Sequence, residues 1–135
     1  MRRFLFASLF SAIAGAGTAG AATLDSLKWD YRVIAVFTPT QTAGQDAADT
    51  LDRTTGIENR DIAWFVVTPE AVQSNQSRSI DRASLTALHE ADGFEAVLVG
   101  KDGGVKSRQT DELDVDAFFG EIDQMPMRQQ EMQQQ

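Results

Sequence analysis

Residues 32–39 read RVIAVFTP, and this segment decides how the rest of the chain is interpreted. Its five consecutive apolar residues, mostly β-branched or aromatic, predict a short strand buried on both faces. Thr38-Pro39 ends the strand, because proline cannot continue a central ladder and keeps the preceding residue extended. In an open α/β sheet, ligands and nucleophiles usually lie in the loop just beyond such a strand. Here that loop, residues 38–44, has threonines but no cysteine, histidine or carboxylate.

A parallel βαβ unit is predicted around this strand. Residues 62–67 form a second continuous apolar run. Between the two runs, apolar residues recur at the spacing of one helical face over Gln41–Thr55, and Gly56 suits a left-handed helix cap. Two buried strands joined by a helix pair in parallel with a nearly fixed handedness. Residues 23–29 predict a short lead-in helix whose packing residues include Trp29.

The second half of the chain predicts a loop, a helix and a hairpin. The polar segment Thr68–Ser79 is typical of a loop. Asp81 is placed to cap a helix that ends near Ala91. Strands at Phe94–Val99 and Val105–Arg108 follow, joined by an Asp-Gly turn, which is a strong hairpin signal because the turn needs positive φ.

The order of elements predicts the fold class. A last helix begins at the capping residue Asp114, and its apolar positions repeat at helical spacing. The complete order, β-α-β-α-β-β-α, predicts a thioredoxin-like α/β domain over residues 23–128, with a four-stranded mixed sheet flanked by helices. The Gln-rich residues 129–135 have no apolar period, and we predict a disordered tail there.

Residues 1–22 have the features of a cleavable secretory signal. Arg2 and Arg3 precede an apolar run over residues 4–14, and small residues follow up to Ala21-Ala22. Cleavage near Ala21-Ala22 would give a periplasmic or secreted protein; an uncleaved anchor is the alternative. The apolar run is too short and too rich in Ala and Gly for a good membrane span. We therefore expect no stable membrane insertion after the signal is removed.

Charge and cysteine content exclude several functions. The chain has 12 basic and 20 acidic residues, a net charge of −8. Loss of Arg2 and Arg3 with the signal leaves ten basic against 20 acidic residues, a net charge of −10. Such a surface repels phosphate backbones, so no nucleic-acid partner is expected. The chain has no cysteine, which excludes thiol–disulfide exchange, thiol peroxidase activity and thiolate metal sites.

Four pieces of the chain resemble a known family. They are Arg32-Val33-Ile34 with Val36-Phe37, Arg60-Asp61, FEAVLVGKDGGVKSR at residues 94–108, and IDQMPMRQQEM at residues 122–132. The GKDGGVK and IDxMPMR patterns are specific, and together the pieces are similar to domain-of-unknown-function family 4174. The resemblance implies a thioredoxin-like, peroxiredoxin-related domain of exported proteins without an established activity. Asn59 stands where that family usually has Glu.

Candidate binding residues are polar side chains near predicted strand ends and in the resembling pieces: Arg32, Thr38, Arg60, Asp61, Lys101, Asp102 and Arg128. An unassisted threonine hydroxyl is a poor nucleophile, so turn closure or helix capping explains Thr38 more simply. Structural ion pairing is favoured for Arg60 and Asp61. The GKDGG segment fails the phosphate-loop pattern because no Ser or Thr follows Lys101, and a hairpin turn is favoured. No catalytic residue is predicted.

Three methionines gather near the C-terminus, at Met125, Met127 and Met132. Thioethers are soft ligands for Cu(I), which makes these residues weak metal candidates. Packing is favoured, because methionine fills irregular gaps well. We predict no metal and no cofactor.

Two classes of function remain beside a preferred one. The preferred prediction is a non-catalytic binding or interaction module for an unknown protein or small ligand, because the chain has no thiol and no alternative catalytic set. The first alternative is a non-thiol enzyme with a charged pocket built from Arg60, Asp61, Lys101 or Arg128. The second is a copper-handling periplasmic protein.

Overall fold

The computed structural model describes residues 21–134, so all but the last two residues of the predicted signal lie outside the described part. Within it, five strands form one mixed sheet: β1 (Arg32–Phe37), β2 (Ile62–Val67), β3 (Val72–Ser74), β4 (Glu95–Val99) and β5 (Val105–Gln109). Their order is β3-β2-β1-β4-β5. The β1–β2 pair is parallel and the other three pairs are antiparallel.

Helices cover both faces of the sheet. They are α1 (Gln41–Arg53), α2 (Arg82–Thr86), α3 (Val115–Asp123) and α4 (Pro126–Gln133), preceded by a 3₁₀ turn at Leu24–Leu27. The apolar residues of α1 and α3 pack on one face, and those of the 3₁₀ turn and α2 on the other. None of the helices within residues 21–134 is long and apolar enough to cross a membrane.

β1 is the central strand, and its register defines the edges of the sheet. All six of its residues are buried, as the apolar run predicts. Arg32 at its start lies opposite Ile62 at the start of β2. Val33 lies opposite Val99 at the end of β4, because β4 runs antiparallel. One edge of the sheet therefore collects the starts of β1 and β2 and the end of β4.

The prediction of four strands is wrong, because β3 adds a fifth strand inside the predicted loop. β3 has three half-buried residues at the sheet margin, too few to show an apolar alternation. Asn75 supports it: its Oδ1 accepts from the Trp64 amide at 2.9 Å, and its Nδ2 donates to the Ile62 carbonyl at 3.0 Å. A side-chain amide thus continues the backbone ladder of β2.

Three further expectations need correction. α2 ends at Thr86 instead of near Ala91. The chain is helical in α4 up to Gln133, where a disordered tail is predicted; proline suits the first turn of that helix. Trp29 is 59% exposed instead of packed.

Two local signals of the other elements are confirmed and one is corrected. Gly56 has a positive φ of +103° but does not cap α1, because it lies in the turn that follows and the C-cap residue Thr54 is extended. The Gly103 amide donates to the Gly100 carbonyl at 3.0 Å in the hairpin turn, and Gly103 has φ +86°. The Asp114 side chain caps α3 by accepting from the Ala117 amide at 3.0 Å.

Candidate functional site

Six of the seven candidate residues lie at the sheet edge where β1 and β2 begin. Most of them join a network of ion pairs, which we call the charged cluster: Arg32, Arg60, Asp61, Lys101, Asp123, Arg128 and Glu131. Asp102 lies beside it and pairs with Lys106 at 3.0 Å. Thr38 is at the opposite edge, after the end of β1.

Arg32 carries its positive charge into the core, with 1% of the residue exposed. Its Nη1 donates to the Arg60 carbonyl at 2.9 Å and to Glu131 Oε1 at 3.1 Å. Its Nη2 donates to Glu131 Oε2 at 3.2 Å. The Nε–H is buried and has no hydrogen-bond partner among the described residues. Such an orphaned donor is unusual, because buried polar groups are nearly always paired.

Lys101 links the hairpin to both other parts of this edge. Its Nζ donates to Asp61 Oδ2 at 2.9 Å and to Glu131 Oε2 at 2.8 Å. Only 9% of its side chain is exposed. An ammonium group has three donors, and these two bonds leave one that points to neither carboxylate.

A second part of the cluster surrounds Asp123. Arg60 donates to both carboxylate oxygens, from Nε at 3.0 Å and Nη2 at 2.9 Å, and Arg128 Nε donates at 3.2 Å. The Arg60 guanidinium also stacks over the Phe119 ring at 4.0 Å. Arg128 reaches the Asn59 carbonyl at 3.0 Å. Arg60 and Asp61 are therefore both ion-paired, but with separate partners.

Three members of the charged cluster, Glu131, Lys101 and Asp123, are held in their ionised forms. Burial alone favours the neutral forms of Glu131 and Lys101, but hydrogen bonds between charged partners outweigh it, lowering the pKa of Glu131 and raising that of Lys101. Hydrogen bonds from Arg60 outweigh burial and lower the pKa of Asp123. Four cations and three carboxylates give this part of the described chain a net charge of +1, within a chain of net charge −8.

Two non-glycine residues at this edge of the sheet have left-handed backbone: Asp61, a member of the charged cluster, and Trp29, which lies beside it. Trp29 has φ 73° and Asp61 has φ 51°. Asp tolerates this region, but a bulky aromatic residue rarely adopts it. The Trp29 amide donates to the Lys101 carbonyl at 2.7 Å, which holds the indole next to the hairpin. Strained backbone of this kind concentrates at functional sites.

A cleft of about 300 Å³ opens beside the charged cluster. Its walls are partly basic and partly apolar: Trp29, Arg32, Gly100, Lys101, Asp102, Lys106, Met125, Pro126 and Met127. Trp29 and Met127 are 59% and 40% exposed, two of the few large apolar residues exposed in the described chain. This volume is at the lower end of the range for small-molecule pockets. Three of the seven candidate residues, Arg32, Lys101 and Asp102, therefore line a ligand-sized space.

A larger depression, of about 410 Å³, lies beyond the end of α1 and includes Trp64 and Asn75 in its lining. None of the seven candidate residues lines it, and its charged residues are only Asp52 and Glu58. We therefore place the candidate site at the smaller cleft.

The threonines at the opposite edge have structural partners. Thr38 Oγ1 donates to the Thr40 carbonyl at 3.1 Å. Thr40 Oγ1 caps α1 by accepting from the Ala43 amide at 3.1 Å. A Cβ at Gly44 would lie 2.2 Å from Thr68 Cγ2, so the helix packs closely on the sheet here. These bonds account for the hydroxyls without a catalytic role.

Two of the three methionines line the cleft. Met125 also packs against the core, and Met127 lies at the cleft mouth. Met132, in α4, is not a lining residue. Within residues 21–134, no three His, Asp or Glu side chains are grouped as metal ligands.

Sequence reasoning missed several residues that complete the site. Glu131 and Asp123 hold the buried arginines, and Trp29 and Lys106 line the cleft. The one available signal was the IDxMPMR pattern and the residues after it, which contain both carboxylates. These carboxylates are not part of a helical pattern of apolar residues, so a search for packing residues does not select them.

A further buried ion pair lies away from this edge. Glu95 is 1% exposed; its Oε1 accepts from the amides of Glu90 and Ala91, and its Oε2 accepts from Arg108 at 2.9 Å. These bonds outweigh burial and lower the pKa of Glu95. The pair fixes the loop after α2 onto the sheet.

Fold and site together define a small mixed α/β domain with a buried ion-pair network beside a ligand-sized cleft. The chain belongs to the family described as Domain of unknown function (DUF4174), whose model matches residues 23–131. That match includes Glu131, the last member of the charged cluster. Neither the curated proteins nor the solved structures contain a significant match to this chain.

Proposed function

We propose that this protein is an exported, non-catalytic binding domain of thioredoxin-like architecture, whose ligand occupies the cleft beside the charged cluster. The observation that carries the proposal is a cleft of about 300 Å³ with a buried arginine in its wall. Within residues 21–134 that arginine has an N–H without a partner, and an exposed tryptophan lines the same cleft. A buried polar group without a partner is rare in native proteins and requires an explanation.

The arrangement of strands supports the thioredoxin-like part of the proposal. The four strands β2-β1-β4-β5 combine one parallel pair with an antiparallel hairpin. α1 and α3 share one face and α2 lies on the other. The loop after β1, where thioredoxin-like enzymes carry their nucleophile, has only threonines. The position that carries the redox thiol in such enzymes therefore has no cysteine in this chain. The proposed binding surface lies at the opposite edge of the sheet.

The ionisation of the cluster favours binding over acid–base catalysis. A general acid or base works best with a pKa near the working pH. Here the pKa values of Glu131 and Asp123 are lowered and that of Lys101 is raised, which moves each of them away from neutrality. Groups locked in their charged state are suited to holding a charged ligand.

The N-terminal sequence supports export, and the contacts of Ala22 are compatible with cleavage before it. Ala22 pairs with Ile80, its amide donating to the Ser79 carbonyl at 3.0 Å and its carbonyl accepting from the Asp81 amide. Cleavage between Ala21 and Ala22 would keep this pairing intact. The N-terminal residue and intact mass of the protein from a periplasmic fraction test it: a chain that begins at Met1 contradicts the export proposal.

Binding is tested by NMR with a chemically mixed panel of small anions, cations and neutral compounds. The chain has two tryptophans, so only two indole N–H signals arise, and replacement of Trp29 by phenylalanine assigns them. We expect at least one compound to shift the Trp29 signal saturably while Trp64, 5% exposed, stays in place. Met127→Tyr should weaken this binding by narrowing the cleft, and Gln130→Tyr on the same helix is the matched control. No saturable shift with any compound would refute a small-ligand site.

A further inference from the structure

We infer that the cleft selects a small amphipathic monocarboxylate, with the carboxylate at Lys101 and Arg32 and the apolar group against Trp29 and Met127. This inference rests on the proposed binding function and adds the chemical class of the ligand.

The sign of the charge follows from the residues on the cleft side of the cluster. Three cations line the cleft, Arg32, Lys101 and Lys106, against one carboxylate, Asp102. Asp102 already pairs with Lys106 at 3.0 Å. Because the whole charged cluster has a net charge of +1, one negative charge neutralises it. A cation would meet Lys101, whose pKa is already raised and which therefore stays protonated.

The donors match a carboxylate. Lys101 Nζ uses two of its three donors on Asp61 and Glu131, and the third can reach a ligand oxygen. Arg32 also lines the cleft; three of its five N–H groups bond to Glu131 and the Arg60 carbonyl, and its buried Nε–H has no partner among the described residues. In a site of low dielectric, charge-assisted hydrogen bonds to a carboxylate are about twice as strong as neutral ones.

The other wall excludes a purely polar anion as the preferred ligand. Trp29, Met125, Pro126 and Met127 form this wall, and most of the surface exposed in the cleft is apolar. An aromatic ring and thioethers favour flat or aliphatic groups. A dianion such as phosphate would carry more negative charge than the net charge of +1 on the cluster, and it would leave the apolar wall exposed to water. The combination therefore favours one carboxylate attached to an apolar group.

The test compares three probes of one shape and different charge: phenylacetate, phenylacetamide and 2-phenylethylamine. Titrations of the full mature protein follow the two indole N–H signals. We expect phenylacetate to shift the Trp29 signal saturably and to bind at least about tenfold more tightly than the amide, since one lost charge-assisted contact is worth roughly that factor. The amine should not bind.

Two variants at the cleft mouth isolate the charge effect. Met127→Asp and Met127→Asn have the same size at a position that is 40% exposed, so both should fold. The Asp variant should bind phenylacetate several-fold more weakly than the Asn variant, and added salt should reduce that difference. The amide should bind both variants equally.

The outcomes separate this inference from the proposed function. Equal or tighter binding of the amide or the amine, at the Trp29 signal, overturns carboxylate selectivity while a binding cleft remains. Absence of any Trp29 shift with all three probes also overturns the inference. The mixed compound panel then decides separately whether the cleft binds other ligands.

Discussion

Removal of the Glu131 charge should destabilise the whole domain, although the residue lies in the last helix of the described chain. Glu131 accepts three hydrogen bonds, at 3.1 and 3.2 Å from Arg32 and at 2.8 Å from Lys101. Glu131→Gln keeps size and helix propensity and leaves the 1%-exposed Arg32 charge without its counter-ion. Breaking a buried pair costs about 3–5 kcal/mol. Because the Glu131 side chain is 22% exposed, water offsets part of this, and we expect about 3 kcal/mol.

Urea unfolding followed by tryptophan fluorescence measures the change in the free energy of unfolding. A loss of about 3 kcal/mol should also lower Tm by roughly 10 °C in a domain of this size. Glu121→Gln is the matched control: it lies exposed in α3 and makes no ion pair within the described chain, so it should change stability by less than about 0.5 kcal/mol.

A double variant tests the electrostatic origin of the effect. Replacing both partners, Arg32→Met with Glu131→Leu, removes the buried charge and should recover most of the lost stability. If Glu131→Gln behaves like the Glu121 control, the pair contributes nothing to stability and the reasoning is refuted. If the double variant is no more stable than Glu131→Gln, loss of packing and not an unpaired charge explains the effect.

Three further predictions concern stability. The free energy of unfolding should be independent of pH near neutrality. Carboxylates with a lowered pKa, such as Glu95, stop stabilising the fold as the pH falls below about 4.5, and Lys101, with a raised pKa, stops doing so above about 10.5. Urea titrations at several pH values measure this, and a change in stability near pH 6 would contradict it. Glu95→Gln should lower the free energy of unfolding by about 3 kcal/mol, because the glutamine NH₂ group would face N–H donors that the carboxylate accepts from. Thermal unfolding measures the change, and a loss below about 0.5 kcal/mol would show that other groups can replace these hydrogen bonds. Gly44→Ala should lower the free energy of unfolding by about 1–3 kcal/mol, because the added Cβ would clash with Thr68. Gly120→Ala, where the added Cβ has no neighbour within 4 Å, should raise it by about 0.5–1 kcal/mol. Equal effects of the two substitutions would show that α1 has room to move away from the sheet.

Local chemistry in the sequence was enough to predict the main elements. The apolar run of β1, the Asp114 cap and the Asp-Gly turn each depend on neighbours a few residues away. Signals of this kind are fixed by backbone geometry, so the sequence predicts them well.

The features that sequence reasoning missed depend on distant partners. Glu131 bonds to Arg32 across 99 positions, and Asn75 completes a strand 11 positions earlier. Neither contact leaves a periodic pattern, since each is made by one polar side chain. Residues 129–133 of α4 therefore fall within the predicted disordered tail, because ion pairs with the start of β1 stabilise this helix and an apolar face does not.

The candidate site was predicted in its parts but not as a whole. Arg32 and Lys101 were both candidates, yet only the register of β1 with β4 shows that they share an edge. The cleft itself depends on Trp29, which has a left-handed backbone and is 59% exposed where the sequence predicts a packed residue.

The link between the first strand and the last helix has a consequence for when this chain can finish folding. Until residue 131 has left the ribosome, the central strand holds an arginine with no counter-ion, and burying it is unfavourable. Completion of the fold therefore waits for α4, because a partial chain that collapses earlier leaves the Arg32 charge buried and unpaired. The order of synthesis and the order of closure are linked through one side chain of the central strand.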